Sequence, residues 1–544
     1  MIININTGSI FSNAQGLNSC IINLPNAYFT NLWDTFNNCS NLTYVEIPIW
    51  DISNVHQTRM TFSGCANLNS IDLSNWDTSN VNIGMGSTFK GCSNITSFGN
   101  ISNWNLGVCK SFSSIFQDCT SLTTLDLSGW NTQNLQDLSF AFDGCENLTS
   151  LDIANWNTSK LNAMWMTFGS CSSLQTLNIS RWNTSNLKNM LNTFYNCSNL
   201  TTLDISDWDV GNVVDMHSTF NNCRALQTLN ISSWNVSSVK NFNATFYSCK
   251  SLTAMNLSDW NTSNAQTLTE MFRDCSNLTS LNVSNWDTRN VNSISLFCHS
   301  CYNLTSINMA NWDTSNSTSM SHVFDSCGLL TSVDVSNWNT GNATTIACLF
   351  YTCRNLEAID VSRWNTSKIE NMYQVFCFDE KITSLDVSNW DTSNVINAVE
   401  LFRGCYNLLQ LNVSGWDTSK ISDMTNMFDR CRNITTLDVS GWNVENVTKM
   451  TNMFNQCDKL TTLDVSNWNI SNATRINGMF RYCNNLSNAS VEKIANMLCT
   501  ANVQALTSSN LYNNNSGSPL SGTKFNNSYY TSYIPALRAA GWTC

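Results

Sequence analysis

The chain has 544 residues, a net charge of −12 and only 12% charged residues. An acidic chain offers no electrostatic footprint for phosphate backbones and is repelled by anionic lipid, so nucleic acid and charged membrane surfaces are not expected partners. Apolar residues make up 42%, with 20 Trp and 26 Phe, which is enough for a sizeable core and excludes a disordered chain; no run approaches the roughly 18 apolar residues of a membrane span, so no membrane insertion is expected.

Residues 1–32 come first. They begin Met-Ile-Ile-Asn-Ile-Asn, without the basic and apolar regions of a secretory signal. They are expected to cap a repeat region over residues 33–483. Trp50, Trp76 and Trp104 open a series that continues through Trp130, Trp156, Trp182 and Trp208 to Trp468, 17 in all. Every step is 26 residues, except 28 between Trp76 and Trp104. A Cys stands 15 residues after most of them, as in Cys145, Cys171, Cys197 and Cys223. A Phe precedes each of these by three, as in Phe142, Phe168, Phe194 and Phe220. Where one ladder cysteine would fall, the residue is Asp379.

Within residues 145–156, Leu148, Leu151, Ile153 and Trp156 fit L-x-x-L-x-L-x-x-W. This is the leucine-rich-repeat strand template, with Trp in the place usually held by Asn or Cys. Leu151, Asp152 and Ile153 alternate in and out, as in a half-buried strand. Asn157-Thr158-Ser159 then supplies turn formers. Leu161, Met164 and Phe168, at i, i+3 and i+7, suit a short helical or 3₁₀ return. One such unit cannot bury its own apolar face, but stacked units can. The expected fold is therefore a leucine-rich-repeat-like solenoid of about 17 units, each a short parallel strand, a turn and a return.

The unit beginning at Cys197, Cys-Ser-Asn-Leu-Thr-Thr-Leu-Asp-Ile-Ser-Asp-Trp-Asp-Val-Gly-Asn-Val, resembles the BspA-like bacterial surface-protein repeats. It is most similar to their 26-residue surface lipoprotein variant, and the likeness covers about residues 30–485. The resemblance implies a cell-surface or secreted protein involved in adhesion, with no catalytic residues to carry over. The chain departs from it in lacking a signal peptide and a lipobox cysteine.

Residues 484–544 lose the period and are expected to form a second cap of two short helices and a loop. Residues 490–497 read as the first helix, with Ser490 as N-cap and Lys493 on its face. Residues 507–529 read as loop and 534–541 as the second helix. A Cys499–Cys544 bridge would staple this cap.

The cysteine ladder spreads thiols along a line, whereas zinc needs ligands converging on one point. Bridges between neighbouring thiols would strain a regular stack. The ladder is therefore read as buried, reduced packing. Cys298 and Cys301 form a C-x-x-C, but Cys301 is a ladder cysteine and Cys298 stands where a Phe belongs, Phe297 having slipped by one. The tryptophans are read as core, not as sugar-stacking platforms.

An exposed polar row is expected along the strands: Asp126, Asp152, Asp204, Asp334, Asp360, Asp386, Asp438 and Asp464, interspersed with Asn. A second row follows each Trp, as in Asp209, Asn235 and Asp313. The strand row is the candidate binding site, for glycan hydroxyls or for Ca²⁺, an oxygen-seeking cation. His56, His217, His299 and His322 lie in different units without a shared frame, and no catalytic motif is present, so no enzyme is expected. Three breaks mark places for a local site: the 76–104 insertion, the slip at Cys298, and residues 376–379.

The functional expectation is adhesion or recognition of a protein or glycan through the solenoid face. The alternative is a self-assembling structural component of a virus particle, filament or surface layer. Sequons recur in adjacent units, as at Asn147 and Asn199, where glycans on stacked coils would collide. Cytoplasmic folding followed by an extracellular, cell-surface or virion location reconciles these features.

Overall fold

The computed structural model describes residues 3–21, 27–46, 50–501 and 534–539. They fall into two compact units, Met1–Ala265 with Asp274–Ser276, and Gln266–Arg273 with Asn277–Cys544. Each unit is a parallel β-solenoid in which equivalent residues of consecutive coils lie in register.

In the first unit, Thr124–Asp126 pairs with Ser150–Asp152, placing Leu125 opposite Leu151 and Asp126 opposite Asp152. In the second, Ser280 faces Ser306 and Ser306 faces Ser332 in the same way. The strands are two or three residues long, with the central apolar side chain turned inward and its polar neighbours outward. A second line of parallel bridges runs up another side of the coils, through Ser111, Asp137 and Ala163 in the first unit. In the second unit it passes from Ser293 through Ser319 and Thr345 to Arg475.

The return segment is not helical, contrary to the sequence expectation. Its backbone amides alternate between two kinds of partner. Those of Met166, Phe168 and Ser170 donate to the next coil, at Leu191, Thr193 and Tyr195, over 2.9, 2.9 and 2.7 Å. Those of Thr167, Gly169 and Cys171 close turns onto Met164, Met166 and Phe168 of the same coil. Met166 and Ser170 adopt left-handed φ of 51° and 53°, and equivalent positions in other coils do the same. A helix would keep every amide within the segment. Here half of them are used between coils, and stacked turns result. Leu161, Met164 and Phe168 are all buried, as their spacing predicts, but on a backbone of turns rather than a helix.

Repetition explains the choice of core residues. Trp156 stacks on Trp130 and Trp182, with ring centroids 5.9 and 6.1 Å apart and planes within 4°. Its indole N–H donates to the Leu127 carbonyl at 3.2 Å, which resolves the one polar atom of an otherwise apolar side chain. Trp130, Trp182 and Trp208 make the corresponding bonds to Ile101, Ile153 and Ile179. Phe142, Phe168, Phe194 and Phe220 form a parallel stack at 5.5–5.7 Å. Cys145, Cys171, Cys197 and Cys223 are fully buried, and each thiol donates to a Phe carbonyl of the neighbouring coil.

Burial pushes these thiols up, Cys223 to about 12, so the reactive thiolate is suppressed. Among the described residues only Cys20 and Cys499 are less than fully buried. Brief alkylation of the native protein at neutral pH, read by mass spectrometry, should therefore label these two ahead of every ladder cysteine. Equally fast labelling at Cys197 or Cys223 would contradict the packing described here. Cys499 is free; the bridge expected to Cys544 lies outside the described residues, as does the 507–529 loop.

Residues 3–21, expected as a cap, are built as a further coil without the Trp and Cys markers. Ser19–Ile21 pairs in parallel with Tyr44–Glu46. Phe11 stacks on Phe36 at 5.1 Å, and its carbonyl accepts the Cys39 thiol. At the other end, the helix Asn488–Leu498 covers the last coil with Ile494, Ala495, Met497 and Leu498. Its N-cap is Ser487, not Ser490. Ser490 lies inside the first turn, where its buried hydroxyl accepts the Leu463 amide. The second helix is Ile534–Ala539.

Candidate functional site

The predicted strand row exists, and it is partly used by the fold. Oδ1 of Asp126 accepts both the amide (3.0 Å) and the hydroxyl (2.7 Å) of Ser128. Asp204, Asp334, Asp360, Asp386, Asp438 and Asp464 hold Ser206, Ser336, Ser362, Ser388, Ser440 and Ser466 in the same way. Each is a side-chain turn that starts the chain toward the next Trp. Asp152 is followed by Ala154, so it has no such hydroxyl. The serine bonds hold the carboxyls of Asp126, Asp360 and Asp438 below the usual range. Asp464 falls furthest, to about 2, chiefly because Lys493 of the capping helix bonds its second oxygen. The row after each Trp does similar work: Asp209, Asn235 and Asp313 accept the amides of Gly211, Ser237 and Ser315.

The strand face is nevertheless open. A depression of about 570 Å³ lies over Thr124, Asp126, Ser150, Asp152, Thr176 and Asn178 in the first unit. One of about 390 Å³ lies over Asn412, Thr436, Asp438, Thr462, Asp464 and Lys493 in the second. Hydroxyls, amides and carboxylates recur there at the strand spacing of about 4.8 Å.

The three sequence breaks resolve differently. The 76–104 insertion is absorbed as bulges at Gly84 and Gly99, and Trp76 still stacks on Trp104 at 5.9 Å. Gly99 has φ of 72°, and a Cβ there would lie 2.2 Å from Asp72 Oδ1. At the second break, Cys298 takes the ladder position, its carbonyl accepting the Cys327 thiol. Phe297 is turned edge-on to Trp312 at 5.1 Å. Cys298 and Cys301 are both fully buried and free. At the third break, Phe376 keeps the Phe stack and Asp379 occupies the cysteine place, fully buried. Burial pushes its carboxyl far up. One oxygen accepts the Cys353 amide at 2.9 Å, while the other has no hydrogen-bond partner. Nearby, Glu400, Arg403, Asp429, Gln374 and Asn455 form a mutually bonded network, and Arg403 lies over the Phe378 ring.

The histidines require a correction. His299 and His322 do share a frame, and Asp325 completes it. His299 and Asp325 are 26 residues apart and so occupy one register position in consecutive coils, while His322 lies three residues before Asp325. Nδ1 of His322 is 2.7 Å, and Nδ1 of His299 3.2 Å, from Asp325 Oδ2. The Ser326 hydroxyl donates to Oδ1 at 2.7 Å. Burial pushes the Asp325 carboxyl up, but bonds from both imidazoles and Ser326 outweigh it and hold it at about 2. Asp143, in the same register with Gln117 as its partner, is instead pushed up by burial to about 6. The signal available in the sequence was the repeat length itself: a spacing of 23 is one coil less a three-residue turn.

Successive overlapping segments of the chain, 30–150, 110–229, 192–308, 270–384, 297–410 and 371–494, match the family described as "Mycoplasma protein of unknown function, DUF285". The chain belongs to this family. Among curated proteins none matches. Among solved structures, this family member is similar to a leucine-rich repeat protein from Bacteroides ovatus, at 20% identity and a TM-score of 0.29, over 56% of this chain and 82% of that one. An internalin from Listeria monocytogenes matches at 14% and 0.22, over 70% and 86%. A leucine-rich-repeat protein of Leptospira interrogans matches at 13% and 0.21, over 80% and 95%. At these values the likeness carries nothing about function, and the fold rests on the chain's own register. Among the described residues, no helix is long and apolar enough to cross a membrane.

Proposed function

We propose that this family member is a non-enzymatic recognition protein that binds a protein or glycan at a cell surface through the strand face, as the 26-residue surface lipoprotein resemblance implies. The observation that carries this is the open polar depression over Asp126, Asp152 and Asn178. It presents hydroxyl, amide and carboxylate groups in register, and the buried residues beneath it are fully committed to packing. Self-assembly by end-to-end stacking is disfavoured, because the helix Asn488–Leu498 covers the last coil and Lys493 ties it to Asp464.

The test compares the wild type with an Asp126→Lys/Asp152→Lys/Asn178→Lys variant on glycan arrays and intact cells, with light scattering in the presence and absence of millimolar Ca²⁺. The reading expects a monomer whose binding the triple variant abolishes. Binding indifferent to these substitutions would reject the strand face. Filaments or defined oligomers would move the assignment to a structural role, and a calcium-dependent gain in binding would assign the carboxylate row to that cation.

A further inference from the structure

We propose that His299, His322 and Asp325 form a Zn²⁺ site on the turn stack of the second unit, with at least one coordination position left for water or an incoming ligand. One ligand atom from each of the three residues lies within 4.8 Å of the other two. Zinc bonds of about 2.0–2.2 Å put adjacent atoms of a tetrahedron about 3.4 Å apart. The two nitrogen–oxygen edges at Asp325 are already 2.7 and 3.2 Å. Small side-chain rotations, without backbone movement, would open room for an ion.

The donor set selects the metal. Two imidazoles and one carboxylate suit zinc and its first-row neighbours, whereas Ca²⁺ and Mg²⁺ take oxygen ligands almost exclusively. Asp325 is buried at 5% exposure and held in its ionised form, ready to ligate. Its other oxygen is fixed by Ser326, the kind of outer partner that orients a metal-binding carboxylate. The His322 side chain is 36% exposed and the His299 side chain 20%, so an ion can enter from solvent. Without metal, each imidazole directs Nδ1 at the same carboxylate oxygen. Binding through those nitrogens releases their protons and replaces two hydrogen bonds with two coordinate bonds. Because the ligands come from two consecutive coils, the ion would also clip them together. The site stands independently of the strand-face reading, since it lies on another side of the coil.

The experiment uses the full chain, stripped with a chelator and kept reduced. Zn²⁺ is titrated by calorimetry and Co²⁺ by visible absorption. One equivalent should bind, with a Co²⁺ spectrum free of thiolate charge-transfer bands. His322→Gln and Asp325→Asn should each abolish binding, Ser326→Ala should weaken it about 10- to 100-fold, and His217→Ala should leave it unchanged. Zn²⁺ should raise the melting temperature of the wild type and not that of His322→Gln, whose half-exposed side chain is not needed for the core. Wild-type affinity in His322→Gln or Asp325→Asn, thiolate bands in the Co²⁺ spectrum, or no stoichiometric uptake would each overturn the assignment.

Discussion

Replacing Trp156 by Ala should destabilise the first unit by about 3–5 kcal/mol, the range for removing a large buried aromatic side chain. The ring contacts Trp130 and Trp182 on its two faces and Phe112 and Phe142 at its edges. The substitution opens a cavity among all four and deprives the Leu127 carbonyl of its indole donor. In a solenoid, stability is a sum of coil and interface terms, so damage to one coil weakens both adjoining interfaces. Trp156→Phe keeps part of the stack and should cost clearly less. Urea titration followed by circular dichroism measures both. A loss below about 1 kcal/mol for the alanine variant would mean that the tryptophan stack is not the mainstay of the core.

Replacing Asp379 by Cys should do the reverse, with a pH dependence that identifies the cause. Asp379 is a carboxyl in a thiol's place, and burial raises its folded-state pKa well above the 3.8 of the unfolded chain. Such a group favours the folded state most at pH below 3.8, and that advantage is lost as pH rises. Above pH 4 the wild type must either retain a proton that the unfolded chain releases, or bury a charge. The stability gain of Asp379→Cys should therefore be small near pH 3 and grow by about 1.4 kcal/mol per pH unit up to the folded-state pKa. The new thiol would stand where the other ladder cysteines donate to a Phe carbonyl. A difference that stays constant from pH 3 to 7 would show that Asp379 is not the protonated, buried acid described here.

The solenoid was legible because repetition converts a weak local signal into a strong one. Trp, Cys, Phe and Leu recurring at 26 residues must lie above one another if any of them is to be buried. Their depth, the Leu151–Asp152–Ile153 alternation and the turn after each Trp follow from that alone. The backbone of the return did not, since Leu161, Met164 and Phe168 have the same spacing on a helix and on a stack of turns. The choice was made by amides that find partners in the next coil, which no single unit contains. For the same reason the first coil, lacking Trp and Cys, read as a cap, although Phe11 sits on Phe36 as the ladder requires.

The strand row was visible as chemistry but not as bonding: serine two residues on takes up one oxygen of most of its carboxylates, and Lys493 takes the other at Asp464. The His299–His322–Asp325 cluster was hidden because its members are not periodic. Two of them share a register only across coils, and the third joins them through a turn of three residues. Sequence by itself determined which side chains are stacked and buried, because a period is a one-dimensional property. Tertiary structure decided which polar atoms are left to bind anything, because hydrogen bonds between coils are counted only once the coils are in place.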